Sequence, residues 1–146
     1  MTSKPPFFPQ ERYDTCALAC LRMILAFNGI ETSEEELVLA TKMEEGGVDI
    51  EELAQVARYH GLKAEIRKLD EASLLDLIAV HRWAIVFLNR FPLDRQFAIH
   101  SVIPIRWTRH YVRALDPRKG ERKFSRRKFE QARRYLDRYG VVCYLE

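Results

Sequence analysis

The sequence predicts an α+β fold, in which a helical N-terminal half packs on an antiparallel β-sheet built from the C-terminal half. Helix-start signals recur through the first half of the chain, whereas short apolar or alternating runs typical of strands dominate the second half. The chain of 146 residues also contains no internal repeat, low-complexity tract or linker. We therefore expect one domain that covers residues 1–146.

Two helices are predicted at the start of the chain. The first begins at Asp14 or Thr15, which are both good N-cap residue types, and ends at Gly29. The second begins at Ser33, which opens a capping box, and continues to about Met43. An apolar face on each helix is expected to pack against the sheet.

A third helix and the first strands follow. Asp49 opens another capping box, and its helix ends at Gly61. Residues 63–69 alternate as a strand does, and Asp70 then begins a short helix. Residues 83–88 are all apolar, which indicates a central strand buried on both faces.

The C-terminal part of the chain is predicted to complete the sheet. Residues 97–105 and 111–115 are expected to pair as antiparallel strands. Ser125 is predicted to cap a basic helix that ends near Gly140, and residues 141–145 form a closing strand.

Composition excludes several classes of protein. Hydrophobic residues make up 47% of the chain and charged residues 31%, as in ordinary globular proteins. No apolar run reaches the roughly 18 residues that a membrane-spanning helix needs, so membrane insertion is not expected. The N-terminus lacks the apolar core of a signal peptide. Three cysteines are too few for a disulfide framework, and we expect a cytoplasmic protein.

The charge of the chain is distributed unevenly. Residues 1–105 carry 11 basic and 16 acidic side chains, whereas residues 106–146 carry 13 and 5. The basic segment 118–128 could attract an acidic peptide or nucleic acid. The simpler explanation of this basic segment is a solvated surface whose charge balances that of the acidic first half. Nucleic acid is therefore not favoured as a partner.

Four residues along the chain make up the set required for acyl transfer by a thiolate. Cys16, at the start of the first helix, is the candidate nucleophile, because a helix N-terminus favours the anionic sulfur. His100 is the candidate base, and Asp116 would hold its ring in the required orientation. The side-chain amide of Gln10 and the backbone N–H of Cys16 would donate to the oxyanion.

The string Gln-x5-Cys-Ala-x-Ala-Cys-Leu-x-Met-Ile-Leu-x-x-x-Gly, at residues 10–29, resembles the bacteriocin-processing, double-glycine cysteine peptidases, a papain-like family. The resemblance covers most of the chain and matches Gln10, Cys16, His100 and Asp116 to the family's functional residues. It implies a papain-like fold and a cysteine peptidase that cleaves a leader peptide after Gly-Gly. It also implies a hydrophobic groove for the leader and a transporter or export partner. No cofactor and no metal are implied.

Two other functions remain open from the sequence. The same catalytic residues could support amide transfer or deamidation of a protein glutamine. A non-catalytic module could instead use the basic C-terminal helix to bind an acidic peptide or nucleic acid, with strong dependence on salt.

The remaining cysteines and glycines have simpler explanations. Cys20, one turn after Cys16, and Cys143 are expected in the core. A zinc site formed by Cys16, Cys20 and a histidine is disfavoured, because no second pair of ligands stands at the required spacing. Residues 46–47, a Gly-Gly pair, are taken as an ordinary loop rather than a site of self-cleavage.

Overall fold

The computed structural model describes residues 3–42, 47–96 and 98–146. Six strands within these residues form an antiparallel sheet in the order β1-β6-β2-β3-β4-β5, and helices cover both of its faces. The strands are β1 (Lys63–Lys68), β2 (Trp83–Asn89), β3 (Ile99–Trp107), β4 (Tyr111–Asp116), β5 (Gly120–Ser125) and β6 (Tyr139–Tyr144). The helices are α1 (Cys16–Phe27), α2 (Glu34–Leu39), α3 (Ile50–Tyr59), α4 (Glu71–Ala79), α5 (Phe91–Asp94) and α6 (Arg126–Arg134).

The sheet separates two apolar clusters. Helix α1 contributes eight buried residues, and it packs with α3 on one face of the sheet. Helices α4 and α6 contribute to the cluster on the other face. Alternation along β2 shows the division: Trp83 and Ile85 join the α1 cluster, whereas Ala84 and Val86 join the α6 cluster. Helix α1 is therefore enclosed, and its N-terminus lies against β3.

The predicted helix starts are confirmed by their capping bonds. Side chains of Ser33, Asp49, Asp70 and Ser125 each accept a hydrogen bond from the backbone N–H three residues further on. Thr15 is the N-cap of α1, but its hydroxyl bonds to the backbone of Arg12 instead of to the helix. The central strand and the pairing of β3 with β4 are also confirmed.

Three predictions about the helices and strands are wrong or incomplete. The basic helix ends at Arg134, and Gly140 lies inside β6, where it pairs with Arg67 and Val86. Strand β5 was not predicted, because its residues are mostly charged and show no apolar alternation. Helix α2 ends at Leu39, earlier than predicted.

Some predictions fall on residues that the structure does not describe. They concern Met43 itself, the first glycine of the pair at 46–47, and Phe97, the predicted strand start. Among the helices that are described, none is long and apolar enough to span a bilayer.

Candidate active site

The first residue of α1 is Cys16, and its thiol is the accessible one of the three cysteines. Cys16 is partly exposed, whereas Cys20 and Cys143 are buried at 0% and 1% exposure. Burial raises the pKa of Cys143 to about 12, so that thiol stays protonated near neutral pH. The partial positive charge of the α1 N-terminus favours an anion at Cys16. The prediction that Cys20 and Cys143 belong to the core is confirmed.

The candidate histidine and aspartate lie on adjacent strands. His100 is the second residue of β3 and Asp116 is the last residue of β4, and pairing of the two strands brings both side chains together. The distance between His100 Nε2 and Asp116 Oδ1 is 2.7 Å. Both residues are buried, at 6% and 2% exposure. Little water therefore competes for this hydrogen bond, which fixes the ring.

The thiol and the histidine ring shift each other's pKa. Burial alone would raise the pKa of Cys16, but hydrogen bonding and charge from His100, together with hydrogen bonding from Ser101, outweigh burial, so the pKa is lowered. Burial alone would lower the pKa of His100, but bonds to Asp116 and Cys16 outweigh it, so the pKa is raised. These opposite shifts favour a thiolate beside an imidazolium. Because Nε2 bonds to Asp116, Nδ1 is the ring nitrogen left for the sulfur.

Asp116 accepts three hydrogen bonds. His100 and the backbone N–H of Arg118 donate to Oδ1, the latter at 2.9 Å, and Arg122 Nη1 donates to Oδ2 at 2.9 Å. Burial alone would raise the pKa of Asp116. These hydrogen bonds and the charge of His100 outweigh burial and lower the pKa to about 2. The carboxylate is therefore ionised and fixed in orientation.

The contact of Arg122 with Asp116 was missed by the sequence analysis. Arg122 lies on β5, which pairs with β4 in antiparallel register. Residues 121–125 contain one apolar residue, Phe124, so no alternation indicated a strand next to the one that ends at Asp116.

Gln10 lies in the loop that precedes α1. Its backbone N–H donates to the carbonyl oxygen of Pro117, and its side-chain Nε2 donates to the carbonyl oxygen of Arg12 at 2.7 Å. Its Oε1 is buried and has no hydrogen-bond partner among the described residues. An amide nitrogen carries two hydrogens, so the bond to Arg12 leaves one of them for a further acceptor.

A buried carboxylate fixes this loop. Glu34, at 2% exposure, accepts from the backbone N–H of Glu11 through both oxygens at 3.1 Å. Burial raises the pKa of Glu34 despite these bonds. From the sequence, Glu34 is predicted only as part of a helix start.

An apolar groove adjoins the site. Its volume is about 510 Å³. Ile99, directly before His100, lines it, as does Phe87, which pairs with Ser101. The other lining residues are Val48, Asp49, Ile50, Glu51, Ile66, Leu136 and Tyr139. The groove can accept an apolar segment of a ligand.

Throughout residues 3–42, 47–96 and 98–146, no three histidine, cysteine or acidic side chains cluster in a way that could hold an ion. Cys20 donates to the carbonyl oxygen of Ser101 and is buried in the α1 cluster.

Comparison with known proteins identifies a family. The model described as the Peptidase C39 family matches residues 4–133. No curated protein matches the sequence at a significant level.

Several solved structures are similar to this one. One is the double glycine motif protease from an AMS/PCAT transporter in complex with the leader peptide, with 18% identity, coverage of 99% of this chain and 94% of that chain, and a TM-score of 0.77. Another is the peptidase domain of Streptococcus ComA, with 16% identity, coverage of 99% and 100%, and a TM-score of 0.80. A third is a putative C39-like peptidase from Bacillus anthracis, with 20% identity, coverage of 100% and 96%, and a TM-score of 0.80. These likenesses confirm the predicted α+β fold.

Proposed function

Because this chain belongs to the Peptidase C39 family and is a cysteine peptidase of papain-like fold, we propose that Cys16 is its nucleophile and His100 its general base and acid. Asp116 orients the histidine. The observation that carries this proposal is the buried 2.7 Å hydrogen bond between His100 and Asp116, beside the Cys16 thiol, which contacts Ser101, the residue that follows His100 in β3.

The first half of the reaction forms a thioester. The Cys16 thiolate attacks the carbonyl carbon of the scissile amide, and a C–S bond forms while the carbonyl oxygen becomes an anion. The imidazolium of His100 then gives its proton to the leaving nitrogen, and the C–N bond breaks. The amine product departs, and His100 is left neutral.

The second half of the reaction restores the enzyme. Neutral His100 takes a proton from water, and the resulting hydroxide attacks the thioester carbon. The C–S bond breaks, the acid product leaves, and the thiolate–imidazolium pair forms again. Asp116 keeps Nδ1 directed at the sulfur and stabilises the imidazolium in each half.

Gln10 and the backbone N–H of Cys16 are the oxyanion donors in this proposal. The bond from Gln10 to Arg12 supports the role of its side chain, because it holds the amide in one orientation while one hydrogen stays available. One such donor is typically worth about 3 kcal/mol in the barrier.

The proposed substrate is a leader peptide cleaved after Gly-Gly, delivered to or by a transporter or export partner. Support comes from the relative that was solved with a leader peptide and from the apolar groove beside His100. Glycines carry no side chains, so their backbone can come close to the sulfur, whereas a more distant apolar segment fills the groove. The reduced thiols that this chemistry requires are consistent with a cytoplasmic site of action.

The pH dependence of Cys16 alkylation by iodoacetamide tests the proposal. We expect rapid alkylation well below the ordinary thiol pKa of about 8.5, and loss of that reactivity in His100→Ala. His110→Ala, which removes an exposed histidine from the turn after β3, is the matched control and should behave as the unmodified protein. A slow rate that rises only near the ordinary thiol pKa, unchanged in His100→Ala, would refute the proposal.

A peptide assay then separates cleavage from amide transfer. Synthetic peptides with an amphipathic helix followed by Gly-Gly are incubated with the protein and with Cys16→Ala, and the products are measured by mass spectrometry. Two fragments that depend on Cys16 support the peptidase. An intact peptide whose glutamine has become glutamate would indicate deamidation instead.

A further inference from the structure

Ser101 contacts both cysteines of α1. It follows His100 in β3 and is 2% exposed. The Cys16 thiol donates to its hydroxyl oxygen, with 3.6 Å between Sγ and Oγ, and the Cys20 thiol donates to its carbonyl oxygen at 3.6 Å. The residue is therefore fixed against the start of α1 by groups on both its backbone and its side chain.

We propose that the Ser101 hydroxyl is a second hydrogen-bond donor to the Cys16 thiolate, in addition to His100. This inference rests on the proposed function, in which Cys16 is the nucleophile. A serine hydroxyl can accept or donate, and its hydrogen rotates to suit its neighbour. When the sulfur carries a proton, the thiol donates to Oγ. Once the proton has moved to His100, the sulfur has no hydrogen, and the hydroxyl turns to donate to it.

The thiolate needs this donor because its surroundings oppose charge. Cys16 is partly buried, and burial is the largest single influence on its pKa, in the direction that favours the neutral thiol. A hydroxyl at 3.6 Å offsets part of that effect without adding a charge or displacing His100. No heavy atom has to move when the proton transfers.

The same contact serves the second half of the reaction. When the thioester breaks, Cys16 leaves as a thiolate, and negative charge develops again on its sulfur. The hydroxyl lies in place to donate to that charge, because pairing with β2 at Phe87 and the bond from Cys20 hold Ser101 in position. Removal of the hydroxyl should therefore slow both acylation and deacylation.

The test measures iodoacetamide alkylation against pH in the full chain and in two variants at this position. Ser101→Ala removes the donor, and the midpoint of the profile should rise by about one pH unit. Ser101→Thr keeps a hydroxyl, and its midpoint should stay close to that of the unmodified protein. Val102→Ala is the matched control, since Val102 is fully buried in the same strand but belongs to the opposite cluster. It loses packing without losing a donor to sulfur, so its midpoint should not move.

The outcomes separate this proposal from the one on which it rests. An unmodified protein that reacts as an ordinary thiol overturns the proposed function and this inference with it. A low midpoint that is unchanged in Ser101→Ala overturns only the role of Ser101. An equal shift in Ser101→Ala and Val102→Ala would assign the effect to packing, and it also overturns that role. If Ser101→Thr does not fold, the comparison of Ser101→Ala with Val102→Ala decides alone.

Discussion

The backbone N–H of Gln10 donates to the carbonyl oxygen of Pro117 at 2.8 Å. This bond joins the loop before α1 to the turn after β4, and Pro117 directly follows Asp116. The two ends of the candidate site are thus fixed to each other by the backbone itself. This hydrogen bond helps to fix the position of the loop that carries Gln10 relative to the strand that ends at Asp116.

Asp116→Asn should destabilise the protein in a pH-dependent way. The pKa of Asp116 is lowered from 3.8 to about 2 in the folded state, so its contribution is complete above 3.8 and is lost as pH falls through about 2. We expect the variant to lose about 2 kcal/mol of unfolding free energy at about pH 6. The deficit should shrink as pH falls below about 4. Urea unfolding at several pH values measures it.

His100 adds a second pH window to the same experiment. Its pKa is raised in the folded state, so its contribution is complete below the ordinary value of 6.5 and is lost as pH rises through the folded-state pKa. The deficit of Asp116→Asn should therefore be larger below the ordinary histidine pKa of 6.5 than above the raised folded-state pKa of His100. Asp76→Asn, at an exposed position on α4, is the control and should change stability by less than about 0.5 kcal/mol. A deficit that is constant from acid to alkaline pH would contradict this account.

Gln10→Ala should slow turnover and leave the nucleophile unchanged. Loss of one oxyanion donor typically lowers kcat by about 10²- to 10³-fold. The alkylation profile of Cys16 should not move, because the thiolate does not depend on that donor. Steady-state cleavage of a Gly-Gly peptide gives kcat, and Gln131→Ala on the exposed side of α6 is the control. If kcat falls and the alkylation midpoint also rises, Gln10 stabilises the loop before α1 and does not act as a donor to the oxyanion.

The candidate site was predictable from the sequence to the extent that it depends on residue type and order. Cys16 follows a capping signal, and His100 and Asp116 stand near the ends of runs with strand character. These local signals place each side chain at the end of an element. The resemblance to a known family supplied the link among them, since 84 residues separate Cys16 from His100 along the chain and periodicity carries no information about that distance.

The contacts that the sequence did not indicate depend on strand register. Arg122 reaches Asp116 because β5 pairs with β4, and Ser101 reaches Cys16 because β3 packs against α1. Strand β5 was not predicted because it is a charged edge strand that has no apolar face along its length. Gly140 is a good helix terminator by type, yet it occupies a crowded position in β6 that only the assembled sheet creates.

Tyr139→Asp should weaken peptide binding through the groove. Tyr139 lines the apolar groove and is 43% exposed, so an ionised carboxylate there would lie against any apolar segment of the ligand. We expect about a tenfold loss of affinity for a helical peptide that ends in Gly-Gly, with little change in alkylation of Cys16. Fluorescence polarisation of the labelled peptide measures it. Tyr135→Asp, at a more exposed tyrosine outside the groove, is the matched control, and an equal loss there would exclude the groove.

Gly140→Ala should destabilise the sheet. A Cβ at this position would lie 2.9 Å from the carbonyl oxygen of Ile85 and 2.9 Å from Leu69 Cδ1. The leucine can rotate, but the carbonyl belongs to β2, which pairs with β6 there, so the strands must separate slightly. Forced contacts of this kind typically cost about 1–3 kcal/mol. Urea unfolding should show that loss.

Gly120→Ala provides the comparison for this variant. Gly120 has a φ of +95° and nothing within 4 Å of an added Cβ, so the cost of Gly120→Ala comes from the backbone conformation alone, about 1–2 kcal/mol. Gly140→Ala should cost as much in a Leu69→Ala background as in the unmodified protein, because the contact with the Ile85 carbonyl persists. A smaller cost in that background would show that the leucine methyl, and not the neighbouring strand, excludes a side chain at residue 140.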